Sequence, residues 1–148
     1  MMVDAHFHAW RLARGDYGWL TPQLGAIHRD IDVADWRAQA APLGVRTGVL
    51  VQAAPTAAET DFLLELAGQH AEVRGVVGWT DLAAPDAARQ VAALARRPKL
   101  KGLRPMLQDI PDAGWILRPE LAPALGAMAA HGLAVSYTHL TLPTILLV

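Results

Sequence analysis

The chain has 148 residues, of which 53% are apolar and 18% charged, and its formal net charge is -1. Length and composition predict one globular domain with a sizeable core; they exclude the basic surface of a nucleic-acid-binding protein and the roughly 20 consecutive apolar residues of a membrane span. The chain has no cysteine, which excludes disulfides and thiolate zinc sites. No signal peptide is expected because Asp4 precedes any apolar run, so we expect a cytoplasmic protein.

The first predicted strand, residues 2–6, leads into the motif His6-Phe7-His8. Alternate residues of a strand point to the same face, so the two imidazoles are expected to project together. Converging neutral imidazoles form half of a divalent-metal site, because imidazole suits zinc and similar metals. The alternative is a pair of ordinary surface histidines, but the aspartate before the motif and the tryptophan after it favour a site.

Three short apolar runs further along the chain predict buried strands, with helical patterns around them. The runs are nearly continuous rather than alternating, which is typical of a parallel sheet covered on both faces. A capping box at Thr56 and Glu59 begins one of the helices, and Gly44 and Gly132 are expected to end two others. The predicted strands are 47–51, 73–78 and 100–104, with a further strand from 133, and the predicted helices include 32–43 and 120–131.

These predicted strands recur at regular intervals. From position 47 onward their starts are separated by 26, 27 and 33 residues, which is typical of a repeated strand-helix unit. A complete (β/α)8 barrel needs about 250 residues. We therefore predict an α/β fold that is the N-terminal half of a TIM barrel, with four βα units and the start of a fifth strand.

The composition changes abruptly after residue 135. Segment 136–148 contains no alanine and no Asp, Glu, Lys or Arg, and the change falls inside an incipient strand. We therefore expect residues 1–135 to be the barrel portion and residues 136–148 to be a non-native tail, such as a sequencing or fusion scar. His139 is then not a candidate ligand. A genuine divergent tail is the alternative.

In parallel barrels the active site lies at the carboxyl ends of the strands. Arg104, at the end of the fourth strand, can bind a carboxylate or carbonyl through two points, or it can form a salt bridge at the rim. Gln52 can orient a substrate oxygen or a metal-bound water, or it can cap a loop. Trp79 can form a wall against a sugar ring or lactone, or pack under a loop. Asp81 is a weaker candidate because it can simply cap a turn.

Two long loops, 11–30 and 105–117, are expected to serve as lids or binding loops. The first carries Trp19 and the second carries Gln108. An aromatic ring combined with an amide suits a carbohydrate-like or cyclic ester substrate. The alternative is that Trp19 is buried and merely fixes its loop.

Several of these segments, taken in order, resemble the amidohydrolase-related family. The resemblance is to its branch of predicted metal-dependent hydrolases, which includes fuconolactonases, rhamnonolactonases and pyrone-dicarboxylate lactonase. It extends from residue 2 to about residue 135. The matching segments are 3–10, 17–20, 51–53, 78–82, 101–105, 107–109 and 115–117.

The resemblance implies a (β/α)8 hydrolase that opens small-molecule lactones with an activated water. His6 and His8 match metal ligands, for zinc or a similar ion, or carbonyl-polarising groups in members that act without metal. Arg104 matches a substrate-anchoring arginine. The remaining ligands and the general base, an aspartate, are expected beyond residue 135.

Two other functions remain open from the sequence. Related barrels with the same opening are metal-dependent decarboxylases. Alternatively, the chain is a non-catalytic half-barrel, inactive alone, that self-associates or aggregates through its open sheet edges.

Overall fold

A computed structural model describes residues 2–137 of the chain. Its five strands are all parallel, and their order in the sheet follows their order in the chain. The strands are β1 (Met2–Phe7), β2 (Val45–Val51), β3 (Val73–Gly78), β4 (Leu100–Leu103) and β5 (Ala134–Val135). The helices are α1 (Val33–Ala40), α2 (Ala57–Gln69), α3 (Ala87–Leu94) and α4 (Ala122–Ala130), and short 3-10 turns lie in the connections.

The sheet curls into half of a barrel with the helices packed against it, which confirms the predicted fold class. Consecutive parallel strands require a crossover, and each connection between them here contains one helix. The element boundaries differ slightly from the predicted ones. Strand β2 begins two residues earlier, and β4 ends at Leu103, so Arg104 is the first residue after the strand.

The helix ends follow from their capping residues. Asp32 and Asp35 form a complete capping box on α1, and Gly44 ends the 3-10 turn that follows with φ of 76°. At α2, Thr56 accepts the Glu59 N–H at 3.0 Å, but the expected return bond from the Glu59 side chain is not formed. The capping box predicted there is therefore only half present, because the Glu59 carboxylate is engaged elsewhere.

The main hydrophobic core lies between the sheet and the helices. It joins side chains such as Leu50, Leu63, Val76 and Leu103, none of which has exposed surface. A second, smaller cluster lies where the loop after β1 meets the loop after β2. Its buried members are Trp10, Tyr17, Leu20, Ala53 and Ala54.

Helix α2 approaches the end of β3 closely at one point. A Cβ on Gly78 would lie 2.5 Å from Thr60 Cγ2, so only glycine allows this approach. The Thr60 hydroxyl uses it to accept the Trp79 N–H at 2.7 Å and to donate to the Trp79 carbonyl at 2.8 Å. Helix α2 thus holds the backbone of the loop that follows β3.

The Ser136 N–H donates to the Leu103 carbonyl at 2.9 Å, continuing the pairing of β4 and β5. Residues 138–148 of the segment predicted to be a tail, His139 among them, lie outside the described residues. Among residues 2–137, no helix has both the length and the apolar character that crossing a membrane requires.

Candidate active site

His6, in β1, and His8, just after it, lie side by side at the carboxyl end of the strand. Their Nε2 atoms are 3.1 Å apart, and the rings meet edge to face with centroids 4.8 Å apart. His8 Nδ1 lies 2.8 Å from the carbonyl oxygen of Val51, at the end of β2. Because a carbonyl accepts only, Nδ1 carries the proton and the lone pair of neutral His8 is on Nε2, facing His6.

The surroundings favour the neutral form of both imidazoles. Burial lowers the pKa of His8, and the neighbouring His6 and the Arg104 guanidinium lower it further, although the bond to Val51 opposes them. Burial also lowers the pKa of His6. The positive charge of Arg104 lowers it further, while the negative charge of Asp4 raises it. A neutral imidazole offers the lone pair that a metal ion needs.

Asp4 supports this pair through the backbone of His6. One carboxylate oxygen accepts the His6 backbone N–H at 3.0 Å, and the other accepts the Trp36 indole N–H at 2.8 Å. The aspartate before the motif thus ties the end of β1 to helix α1.

Gln52 and Arg104 join the ends of β2 and β4. The Gln52 amide donates to the Arg104 carbonyl at 2.9 Å, and Arg104 Nη1 donates to the Gln52 carbonyl at 3.3 Å. Gln52 has no exposed surface and does not line the cavity that His8 and Arg104 share, so the structure places it as a bridge between loops. Burial lowers the pKa of Arg104, and the nearby Asp109 carboxylate raises it.

One cavity of about 240 Å³ brings several of the predicted residues together. His8, Arg104, Trp19 and Gln108 line it, along with Ala53, Met106 and Asp109. The Trp19 indole N–H donates to the Ala53 carbonyl at 2.8 Å, and its ring packs edge to face on Trp10, with centroids 5.4 Å apart. Trp19 remains 43% exposed, so its ring forms part of the wall and is not buried beneath it.

Trp79 is not brought to this cavity. It lines a neighbouring cavity of about 360 Å³ with Trp115, and the two cavities share Met106 and Asp109. Asp81 accepts the Ala83 N–H at 2.9 Å, which is the turn-capping contact considered for it from the sequence.

The sequence predicted Glu59 only as a helix-capping residue, whereas the structure places it as a buried carboxylate beside this site. Glu59 has no exposed surface; it accepts the Tyr17 hydroxyl at 2.6 Å and the Ala53 N–H at 3.0 Å, and Arg14 Nη2 lies 3.5 Å away. Burial raises the pKa of Glu59, and burial together with the bond to Glu59 raises that of Tyr17. One signal was visible: Glu59 lies one helical turn before the buried Leu63, on the inner face of α2.

The chemistry of the donors at His6 and His8 fits part of a metal site. Their Nε2 atoms are close enough to bind one ion together, and the bond from His8 Nδ1 to Val51 is of the kind that orients metal-binding histidines. Within residues 2–137, no group of three or more His, Cys, Asp and Glu side chains is arranged to hold a metal. The pair could therefore supply two ligands of a larger set.

Comparison with known proteins shows relatives along nearly the whole chain. It is 46% identical over 132 residues to the L-fucono-1,5-lactonase of Burkholderia ambifaria, a match that covers 89% of this chain and 46% of that relative. A solved amidohydrolase from Burkholderia multivorans with bound zinc is 34% identical, with a TM-score of 0.81 over 90% of this chain and 47% of that one. An amidohydrolase 2 from Bifidobacterium longum subsp. infantis is 27% identical, with a TM-score of 0.65 over 90% of this chain and 49% of that one.

The chain thus spans about half the length of these relatives. A family model described as Amidohydrolase matches residues 3–147. On this match, and as the resemblance of its motifs predicts, the chain belongs to the amidohydrolase family.

Proposed function

We propose that the chain supplies the N-terminal half of the active site of a lactone hydrolase that opens a sugar-acid lactone or another small cyclic ester. One observation carries this proposal: His8, Arg104 and Trp19 line the same cavity, with His6 in contact with His8. The relative described as an L-fucono-1,5-lactonase supports the substrate class.

His6 and His8 are proposed to hold a divalent metal ion such as zinc. When bound, the ion would supply a Lewis acid that polarises the lactone carbonyl. In the alternative without metal, the imidazoles would donate hydrogen bonds to that carbonyl. The structure supports the ligand role of His8, because its proton is committed to Val51 and burial disfavours a second proton.

Arg104 and Trp19 are proposed to bind and orient the substrate. The guanidinium can donate two parallel hydrogen bonds to a carboxylate or to a pair of ring oxygens. The exposed indole of Trp19 offers an apolar face to the C–H groups of a sugar ring, and Gln108 adds an amide at the same wall. Gln52 acts through Arg104, whose loop it holds, and Trp79 would contact only a substrate that reaches the neighbouring cavity.

In the proposed reaction, water adds to the carbonyl carbon, the ring C–O bond breaks, and the ring oxygen leaves as a hydroxyl of the hydroxy acid. A general base must take a proton from the water. We expect this base beyond residue 135, so the 148-residue chain is proposed to be inactive alone.

The test uses the reading frame continued past codon 135. Ring opening of a sugar-acid 1,5-lactone is followed by proton release, and bound zinc is measured on the same samples. His6→Ala and His8→Ala are expected to lose at least about tenfold of both activity and zinc affinity. His70→Ala is the control, because His70 lies at the end of α2 beside Glu72, away from the site.

Unchanged turnover in His6→Ala would remove the proposed role of that residue. Release of carbon dioxide from an aromatic acid, without ring opening of any lactone, would instead assign the extended protein to the decarboxylases.

A further inference from the structure

Glu59 is a fully buried carboxylate that the proposed chemistry does not use. It lies in the first turn of α2, where a glutamate usually returns to cap its own helix. Here it points into the loops beside the cavity instead. Each carboxylate oxygen accepts one hydrogen bond, Oε2 from the Tyr17 hydroxyl at 2.6 Å and Oε1 from the Ala53 N–H at 3.0 Å.

Both of these partners are connected to Trp19, one through the chain and one through a hydrogen bond. Tyr17 precedes it by two residues in the loop after β1, and its ring is buried in the second hydrophobic cluster. Ala53 receives the Trp19 indole N–H on its carbonyl at 2.8 Å, while its own N–H is held by Glu59. One carboxylate therefore fixes the loop that carries the indole and also the backbone N–H of Ala53, the residue whose carbonyl accepts the indole N–H.

Glu59 shares the Arg14 guanidinium with a second carboxylate, Asp16. Arg14 Nη2 lies 3.5 Å from Glu59 Oε2 and 2.6 Å from Asp16 Oδ2, and the Thr56 hydroxyl donates to Asp16 at 2.9 Å. The guanidinium also lies over the Phe62 ring, 4.7 Å from its centroid. These contacts hold residues 14–17 against the start of α2, so this part of the loop after β1 is packed on the helix.

We propose that Glu59 is a positioning residue, which holds Trp19 in place as a wall of the cavity through Tyr17 and Ala53. Any effect of this wall on substrate binding rests on the proposed function. The positioning itself does not, and it can be measured without substrate.

The test follows the solvent exchange of individual indole N–H groups in the 148-residue chain by NMR, using magnetisation transfer from water. Trp19→Phe assigns the signal of Trp19. In Glu59→Ala, which removes both hydrogen bonds of the carboxylate, exchange at Trp19 is expected to accelerate at least about tenfold, since the loss of a single hydrogen bond is worth roughly two- to tenfold. Exchange at Trp36 is expected to change little and reports global unfolding, because its indole N–H donates to Asp4 and its ring belongs to the main hydrophobic core, not to the cluster of Tyr17 and Ala53.

Three further variants sharpen the test. Tyr17→Phe removes one of the two hydrogen bonds that Glu59 accepts. Glu59→Gln keeps the shape of the side chain but loses its charge. Both variants should therefore accelerate exchange at Trp19 by a smaller factor than Glu59→Ala does. They also serve if Glu59→Ala does not fold. Asp61→Asn is the matched control: it removes an exposed carboxylate of α2, paired with Arg97 at 2.8 Å, and should leave Trp19 unchanged.

Acceleration at Trp19 without acceleration at Trp36 supports the proposal. Unchanged exchange at Trp19 overturns it. So does an equal acceleration at both tryptophans, because it would mean that Glu59 only stabilises the whole fold. None of these three results depends on whether the extended protein opens a lactone.

Discussion

The backbone carbonyl of Val51 decides the tautomer of His8, and with it the chemistry that the histidine pair can perform. The alternation of a strand was sufficient to predict that the two rings lie together. The tautomer could not be predicted, since it depends on a carbonyl 43 residues away that reaches His8 only when β2 pairs with β1.

Glu59 shows a different limit of prediction at the scale of one residue. Its spacing from Thr56 predicted a capping role, and half of that role is present. The rest was decided by burial: the side chain lies on the inner face of α2, where it needs partners that only the folded loop after β1 supplies.

The buried Glu59 carboxyl predicts a pH dependence of stability. Burial raises its pKa above the ordinary value of 4.5, although Tyr17 and Arg14 oppose this and Asp16 reinforces it. Between the pKa of Glu59 in the unfolded chain and its higher pKa in the folded chain, the unfolded chain has already lost the proton that the folded chain still holds. As the pH rises between these two values, the contribution of Glu59 to the free energy of unfolding therefore falls by at most about 1.4 kcal/mol per pH unit. In Glu59→Gln this fall should be absent, which urea denaturation from about pH 4 to about pH 7 can measure.

Tyr17→Phe is the companion variant for this measurement. Its hydroxyl lowers the pKa of Glu59, so its removal should extend the fall in stability to higher pH. Parallel pH profiles for the unaltered chain and Glu59→Gln would contradict the prediction.

At the scale of elements, apolar runs and their spacing predicted the strands and the number of βα units. The boundaries were less predictable where tertiary contacts decide them. Arg104 follows the apolar run of β4, and its N–H still donates to the Gly78 carbonyl of β3 at 2.8 Å, but its carbonyl and guanidinium are bonded to Gln52 just beyond the strand. The sequence also did not predict that Trp19 and Trp79 line two different cavities. This depends on the loop after β4, whose residues Met106 and Asp109 line both cavities.

The contact between α2 and β3 gives a prediction about packing. Gly78→Ala would place a Cβ 2.5 Å from Thr60 Cγ2 and 2.9 Å from its hydroxyl, so the helix or the strand must shift. We expect a loss of about 1–3 kcal/mol in the free energy of unfolding, measured by urea denaturation.

Gly75→Ala is the matched control in the same strand. Its Cβ would approach Lys101 Cγ at 2.7 Å, in an exposed and flexible side chain that can move aside. The variant should therefore cost clearly less than Gly78→Ala. Equal losses would show that the close approach of Thr60 is not what requires glycine at position 78.

At the scale of the whole molecule, the curled sheet has two edges within residues 2–137. Strand β1 is paired with β2 alone and β5 with β4 alone. The β1 edge exposes apolar side chains, with Met2 62% and Val3 46% exposed. Unpaired edges with apolar side chains favour association with other chains.

We therefore expect the 148-residue chain to self-associate through these edges. Light scattering coupled to size-exclusion chromatography should give a mass above that of the monomer, increasing with concentration. Val3→Lys should shift the distribution towards monomer, since an edge lysine opposes strand pairing. Leu117→Lys, at an 83% exposed position outside the strands, should not. A monomer at all concentrations would contradict the prediction.

Each strand from β2 to β5 pairs with the strand that precedes it in the chain. Pairing between such near neighbours closes short loops and is therefore favoured kinetically over pairing between distant segments. During synthesis on the ribosome, every new strand finds its partner already made. We therefore expect the orientation of His8 to be set by the first crossover, before Arg104, the proposed substrate anchor, joins the histidine pair.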